Sequence, residues 1–354
     1  MKIIFVIMLL LCSVTVFCEK SMIEFNPEFE DRIINAEKTF DFETKPFALF
    51  AFTDLHSADY EFNRLMEFYS HYSKYFDNAI CLGDFLETGV YSYDFIEKNP
   101  ASGNLLMTIG NHDVFIENWE NIIPMETRFE RYFKPLIAKW GAVCEEGKTY
   151  YYKDYPDKNI RLIVIDSMAN GKNSQEQLAW FRNTLKEAKD KKYHVIAASH
   201  FPILTDSEAL DCPFTTTGRP IRGTIKIGES DNYAKHDFIP AHAEEYQIAV
   251  DNFRKEGGVF VTWLSGHVHI DSVELDKKYN QLCISIETAS VKWSKNFSDS
   301  QRTMGLKSQD LADAIVVDTT NRVIKIIRAG CDTDRYMKHK DMTAISYANF
   351  KVFK

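Results

Sequence analysis

Three short apolar runs in the first third of the chain each stop abruptly at acidic, amide or imidazole side chains. Pro46 to Thr53 runs into Asp54-Leu55-His56, Asn78 to Leu82 into Gly83-Asp84, and Leu105 to Ile109 into Gly110-Asn111-His112-Asp113. Runs of that length and composition read as buried strands. Asp84 follows Asp54 by 30 residues and Asn111 follows Asp84 by 27. Such separations suit a strand–helix–strand crossover, which makes the strands parallel and adjacent. Tyr60 to Tyr75 supplies the first crossover, with Phe62, Leu65, Met66 and Tyr69 recurring at helical spacing. The segment 91–104 reads as helix and loop. Ligands of open α/β sheets gather beyond the carboxyl ends of the strands, so the three polar clusters converge on topological grounds.

The pattern returns further on. Arg161 to Ser167 reads as another core strand. Tyr193 to Ala198 ends in Ser199-His200, and Val259 to Leu264 ends near Gly266-His267-Val268-His269. The D-x-H and G-H-x-H spacings put two side chains on one side of an extended segment. Between these strands, Glu126 to Lys139 reads as a helix and Thr149 to Tyr155 as part of a hairpin. Ser174-Gln175-Glu176-Gln177 reads as a capping box, opening a helix to about Lys189 with Leu178, Phe181 and Leu185 inward. Residues 203–246 form a loop rich in Gly, Thr and charge, either an active-site wall or a surface insertion. Ser272 to Leu275, Leu282 to Glu287, Ala314 to Asp318 and Val323 to Arg328 are short β-type runs. They indicate a second sheet packed on the first.

Each cluster alone has a plainer reading. Asp54 could cap the helix that begins near Asp59, and Gly-Asn-His-Asp could be a polar turn. Five such clusters at successive strand ends outweigh those readings. Asp54, His56, Asp84, Asn111, His200, His267 and His269 make a mixed imidazole, carboxylate and amide set. That set suits Mn, Fe, Zn or Co rather than calcium or a thiolate zinc site. Seven ligands are too many for one ion and about right for two that share a carboxylate.

In this order, D-x-H, G-D, G-N-H-D, H and G-H-x-H resemble the calcineurin-like metallophosphoesterase superfamily, from about Phe47 to Ile270 and more loosely to Gly330. The resemblance implies a four-layer αββα sandwich of two mixed sheets with flanking helices, with a dinuclear metal site at the strand C-terminal ends. It implies two divalent or trivalent transition-metal ions (Mn, Fe or Zn). One would sit on Asp54, His56, Asp84 and His269. The other would sit on Asp84, Asn111, His200 and His267, with Asp84 bridging. It implies a phosphoesterase acting on a phosphomonoester or small phosphodiester by attack of a metal-bridging hydroxide. Asn111 would stabilise the developing charge, His112 would act as general acid, and Asp113 would orient it. The purple acid phosphatase branch carries a tyrosine three residues past the Gly-Asp aspartate. Glu87 stands at that position here, so a ferric-tyrosinate centre is not expected. The alternative from another class is an exported, metal-stabilised binding or scaffold protein of the same fold without turnover.

The rest of the chain frames that reading. Lys2 followed by an apolar run from Ile3 to Phe17 matches a secretory signal over residues 1–18, too short for a membrane span. An exported location follows, with an uncleaved anchor as the alternative. Residues 19–45 read as a lead-in, 46–330 as the catalytic domain and 331–354 as a C-terminal extension. No stable membrane span is expected after cleavage. The net charge of −9 and the lack of a Lys/Arg run argue against a nucleic-acid partner, while the resemblance implies a small phosphate ester as substrate. Cys81, Cys144, Cys212, Cys283 and Cys331 form no CxxC pair. Cys81 and Cys283 read as core residues. Arg219, Arg222 and His236 in the long loop, and Trp293 and Phe297 in a later one, could contact substrate or be ordinary loop residues. Asn296-Phe297-Ser298 is a glycosylation sequon.

Overall fold

The computed structural model describes residues 20–38, 46–56, 58–88, 103–116, 121–211, 242–286, 288–289, 302–331, 334–339 and 350–353. The signal segment, residues 91–102, Arg219, Arg222, His236, Trp293, Asn296 and Phe297 lie outside them.

Two helices come first, α1 (Met22–Phe25) and α2 (Phe29–Lys38). Ser21 and Glu24 close a capping box on α1. Within the stretch read as a lead-in, residues 22–25 and 29–38 are helical. Met22, Phe29 and Ile33 are buried, and α2 packs against the strands β12 (Leu311–Asp318) and β13 (Val323–Gly330). The strand β1 (Phe47–Phe52) is followed by α3 (Asp59–His71), whose Phe68 and Tyr69 stack on Phe50. The strands β2 (Asn78–Cys81) and β3 (Leu105–Met107) run parallel to β1, as the crossover lengths require.

The helix expected over Glu126–Lys139 is real but composite. A wider π-turn at Phe129–Phe133 separates α4 (Met125–Arg128) from α5 (Lys134–Trp140). The short strand β4 (Val143–Cys144) precedes the hairpin of β5 (Tyr151–Tyr155) and β6 (Ile160–Val164). The helix α6 (Lys172–Asp190) starts two residues before the expected capping box, because Gly171 occupies the N-cap and the Ser174 hydroxyl donates to the Gly171 carbonyl instead.

Strands β7 (His194–Ala198) and β8 (Ser207–Asp211) precede α7 (Ala243–Lys255) and β9 (Val259–Ser265). Two elements therefore stand inside the span expected as a loop, since β8 forms a sheet edge and α7 begins at Ala243. Tyr246, Val250 and Phe253 point inward at helical spacing, and Glu244/Glu245 and Arg254/Lys255 complement the helix dipole at its two ends. Residues 212–241 lie outside the described set. The remaining strands are β10 (Ser272–Asp276), β11 (Gln281–Ser285), β14 (Arg335–His339) and β15 (Phe350–Phe353).

The sheets do not divide as the sequence suggests. One has the order β15-β14-β13-β12-β1-β2-β3 and the other β4-β5-β6-β7-β9-β11-β10-β8. The late strands split between the two sheets instead of forming one of their own, and residues past 330 extend the first sheet. Strands β6, β7, β9 and β11 are mutually parallel and buried on both faces, which hides any period-2 signature of sheet membership. In β6, Leu162 and Val164 face the core between the sheets, whereas Ile163 faces the layer of α6 and α7 with Phe181, Leu185 and Val250. The Tyr151 hydroxyl crosses between sheets, donating to the Met107 carbonyl and accepting from the Met107 amide at 2.9 and 3.1 Å. The result is the expected layered sandwich of two mixed sheets with flanking helices. Among the described residues no helix is long and apolar enough to cross a membrane. Cys81 and Cys283 are buried in strands, and the described cysteines are all free thiols.

Candidate metal centre

The polar clusters come from the carboxyl ends of β1, β2 and β3 in one sheet and of β7 and β9 in the other. The site therefore lies where the two sheets' strand ends meet. Asp54, His56, Asp84, His267 and His269 all have positive φ, between 49° and 66°. Left-handed backbone at non-glycine residues is strained, and its concentration here marks a functional site. It also overturns the idea of two side chains on one side of an extended segment. Asp54 and His56 do reach the same place. His267 and His269 part, His269 joining Asp54 and His56 while His267 joins Asp84 and His200.

Three glycines make room for this. Gly83 (φ +95°) lies under the His200 ring, where a Cβ would come within 2.5 Å of Nδ1. A Cβ at Gly110 would press on the Asp84 carboxylate and amide, and one at Gly266 on the Thr53 hydroxyl and Asp54 Oδ2. Gly110, expected as a sharp turn, is needed for space, since its φ is not among the positive ones.

Asp54 presents Oδ1 to His269 Nε2 at 3.0 Å, with His56 Nε2 at 3.8 Å from the same oxygen and 3.4 Å from His269 Nε2. Asp54 is buried, forms no N-cap to α3, and has Oδ2 fixed by the Thr53 hydroxyl and the His267 amide. Across the site, His200 donates Nδ1–H to the Leu82 carbonyl at 2.8 Å. That bond leaves Nε2 facing Asn111 Oδ1 at 3.1 Å and Asp84 Oδ2 at 3.2 Å. Asp84 Oδ1 accepts from the His112 amide at 2.8 Å.

Three sets of ligand atoms lie mutually within 4.8 Å: Asp54/His56/His269, His56/Asp84/His112 and Asp84/His200/His267. Asp84 is the carboxylate common to the last two. Several lone-pair atoms, two of them on imidazoles only 3.4 Å apart, point at shared space, and a cation is what such a donor set accommodates. The residues present therefore fit a pair of transition-metal ions.

Charge follows from burial and neighbours. Burial pushes His56 and His267 down to about 3, with His200 adding to the effect on His267, so both are neutral donors. Burial also works against charge on His200, but Asp84 outweighs it and raises the imidazole to about 9. Burial would raise both Asp54 and Asp84, yet the neighbouring imidazoles hold both carboxyls below the ordinary range. For His112, burial is outweighed by Asp84 and by the bond to the Glu87 carbonyl, and the pKa stands above its usual value.

One expectation fails. Asp113 does not hold the His112 ring. Both Asp113 oxygens are occupied by backbone amides, Leu86 N and Gly110 N, each at 2.9 Å. Burial and Asp84 raise the Asp113 carboxyl to about 7. The ring is held by Glu87, whose carbonyl accepts Nδ1–H of His112 at 2.9 Å and whose carboxylate approaches Nδ1 of His56 at 3.5 Å. The sequence gives no sign of this role, because a backbone carbonyl carries no residue signature. Ser167 escapes notice because it reads as part of the strand, whereas the strand stops at Val164 and leaves Asp166-Ser167 just beyond its end. The Ser167 hydroxyl accepts from the His200 and Phe201 amides. Thr288, whose hydroxyl donates to the Asp54 carbonyl at 2.7 Å, has no signal in the sequence either.

Residues 47–271 match the family model of the calcineurin-like phosphoesterases. A dimetal phosphatase from Danio rerio superposes with a TM-score of 0.52 at 11% identity, covering 82% of this chain and 98% of that one. A conserved uncharacterized protein of Streptococcus pneumoniae, described as a predicted phosphoesterase, aligns at 10% identity and a TM-score of 0.36 over 84% of this chain and 99% of its own. No curated protein matches the chain significantly. The family model covers well over half of the chain and spans all five clusters, so the chain belongs to the calcineurin-like phosphoesterases, hydrolases of phosphoester bonds with a dinuclear metal site.

Proposed function

We propose that this hydrolase acts on a phosphomonoester or small phosphodiester with Asp54, His56, Asp84 and His269 holding one ion and Asp84, Asn111, His200 and His267 the other. The observation that carries the reading is the position of Asp84, grouped with His56 and His112 on one side and with His200 and His267 on the other. Cations held there supply Lewis-acid polarisation of the phosphoryl group and favour attack by water.

The chain's own residues do the rest. His112 has Nδ1–H engaged by the Glu87 carbonyl, so Nε2 is the ring atom that would deliver a proton to the departing oxygen. Its raised pKa keeps that proton available near neutrality. The Asn111 amide faces the developing charge. Asp113 acts one step back, clamping Gly110 and Leu86 and so fixing the turn that carries Asn111 and His112.

The test is release of p-nitrophenol from its phosphate mono- and diesters by Mn-loaded protein, before and after chelation. Turnover that survives complete chelation would refute the reading. Elemental analysis of Asp84→Ala checks the bridge, and two metals retained per chain would refute it. We also place the protein outside the cytosol, on the apolar run Ile3 to Phe17. N-terminal sequencing of exported protein is expected to begin at Glu19, and an intact Met1 would refute cleavage.

A further inference from the structure

The parallel strand β6 ends in Asp166-Ser167 beside the site, and neither residue belongs to the ligand set. Both are fully buried. The Ser167 hydroxyl accepts from the amides of His200 at 2.9 Å and Phe201 at 3.1 Å. His200 is otherwise held by its ring on the Leu82 carbonyl and by its own carbonyl, which accepts from the Gly266 amide at 3.0 Å. Ser167 is the one side chain among these anchors of the His200 main chain.

Ser167 is itself fixed from behind. The Asp166 carboxylate takes hydrogen bonds from Arg128 Nη1 at 2.7 Å, the Met168 amide at 2.7 Å and the Thr149 hydroxyl. The Gln177 side chain clamps both backbone groups of Asp166. It accepts from the Asp166 amide at 2.8 Å, donates to the Asp166 carbonyl at 3.2 Å, and reaches the Tyr246 hydroxyl at 3.0 Å. Hydrogen bonds thus lead from α7 through α6 to Asp166, and from Ser167, next in the chain, to the backbone of His200.

We propose that Ser167 is a positioning residue for the metal centre, setting the backbone of His200 so that its Nε2 meets Asp84 and Asn111. Partners one shell behind a ligand fix its orientation, and their loss typically weakens metal affinity about 10–100-fold. The proposal rests on His200 holding one of the two ions.

The experiment is Mn(II) titration of the apo full-length protein, followed by calorimetry and by the EPR spectrum of the loaded centre. The variants are Ser167→Ala, Ser167→Cys and Ser174→Ala. Ser174 is another buried serine, on α6, whose hydroxyl donates to the Gly171 carbonyl and which belongs to no anchor of His200 named above. The expected result is two Mn ions in the wild-type protein and in Ser174→Ala. One of the two affinities falls about tenfold or more in Ser167→Ala, with a changed EPR spectrum. Ser167→Cys keeps the shape with a slightly larger and weaker acceptor and falls between, and it carries the test if the alanine variant does not fold. Unchanged affinities and spectrum in the folded Ser167 variants, with two ions in the wild type, would overturn the proposal and leave the site reading intact. Fewer than two ions in the wild type would overturn both.

Discussion

Gly83→Ala tests whether the glycines at the strand ends are there for close approach. Gly83 has φ +95° and lies against the His200 ring, with an added Cβ falling 2.5 Å from Nδ1, 2.7 Å from Cγ and 2.8 Å from Cβ. Ordinary contact begins at 3.4 Å, so the ring must withdraw by about 0.9 Å from Nδ1. It has little freedom to do so. Its Nδ1 is bonded to the Leu82 carbonyl, and its main chain is held by Ser167 and Gly266. Overpacking costs about 1–3 kcal/mol and left-handed backbone at alanine about 1–2 kcal/mol, giving about 4 kcal/mol together. An unfolding entropy of about 2.1 cal/mol/K per residue over 354 residues converts this to a fall in Tm of about 5 °C. The effect on metal binding is sharper, because coordination distances tolerate only about 0.2 Å. The assay pairs a thermal melt of the apo protein with elemental analysis after Mn loading. Gly103→Ala is the control, since a Cβ there meets nothing within 4 Å. The reasoning is refuted if Gly83→Ala melts within about 1 °C of the wild type and binds two ions as tightly.

His112→Ala should retain both metals and lose about 100-fold or more in kcat on alkyl phosphates, but much less on p-nitrophenyl phosphate, whose leaving group needs no proton; equal losses on the two substrates would remove His112 from the general-acid role. Asp113→Ala should cost about 2–3 kcal/mol in urea melts, because it strips the partners from the buried amides of Leu86 and Gly110, and a midpoint at the wild-type value would contradict that. Removing metal by chelation should lower Tm in a manner reversed by added Mn, since ligand that binds only the native state stabilises it, and an unchanged melt would argue against native-state binding. His194, at the start of β7, is pushed down to about 4 by burial and by Arg322, so between about pH 6.5 and 4 the unfolded state takes a proton that the folded state refuses. Stability should therefore fall as pH drops through that window, by about 1–2 kcal/mol for a half-buried ring, and His194→Gln should flatten the slope in pH-dependent urea melts.

The site was more legible in the sequence than the sheets were. Strand ends leave a signal because apolar runs stop at residues with reactive side chains, so Asp54, Asp84, Asn111, His200 and His267 can be found one by one. Sheet membership leaves none. Strands buried on both faces, such as β6 and β9, look alike whichever sheet they join, and only pairing partners distant in sequence decide. The helix α7 was hidden by its neighbourhood, because the Gly- and Thr-rich residues before it extended the apparent loop past Ala243. The error over Asp113 has a different cause. Adjacent acid and imidazole invite pairing on paper, but consecutive residues in a tight turn need not face each other, and here the acid turns to the Gly110 amide of its own turn and to the Leu86 amide beyond β2.

Asp54 and Asp84, which the proposed function makes metal ligands, follow one rule that argues against a conservative replacement at either. Each commits one oxygen to the scaffold and aims the other into the site. Asp54 Oδ2 accepts from the His267 amide and the Thr53 hydroxyl, while Oδ1 faces His269. Asp84 Oδ1 accepts from the His112 amide, while Oδ2 faces His200. Each also ties strand ends together through its main chain. The Asp54 amide donates to the Gly83 carbonyl and the His56 amide to the Asp84 carbonyl, both at 3.0 Å. Asparagine at either position must place its NH2 group against an N–H donor or into a space built for a cation, and both placements set like charges together. Glutamate adds a methylene to a left-handed residue already packed against its neighbours. The backbone strain at these strand ends is therefore bound up with their chemistry. The left-handed turns bring the carboxylates close enough for one oxygen to brace the scaffold while the other remains for the metal.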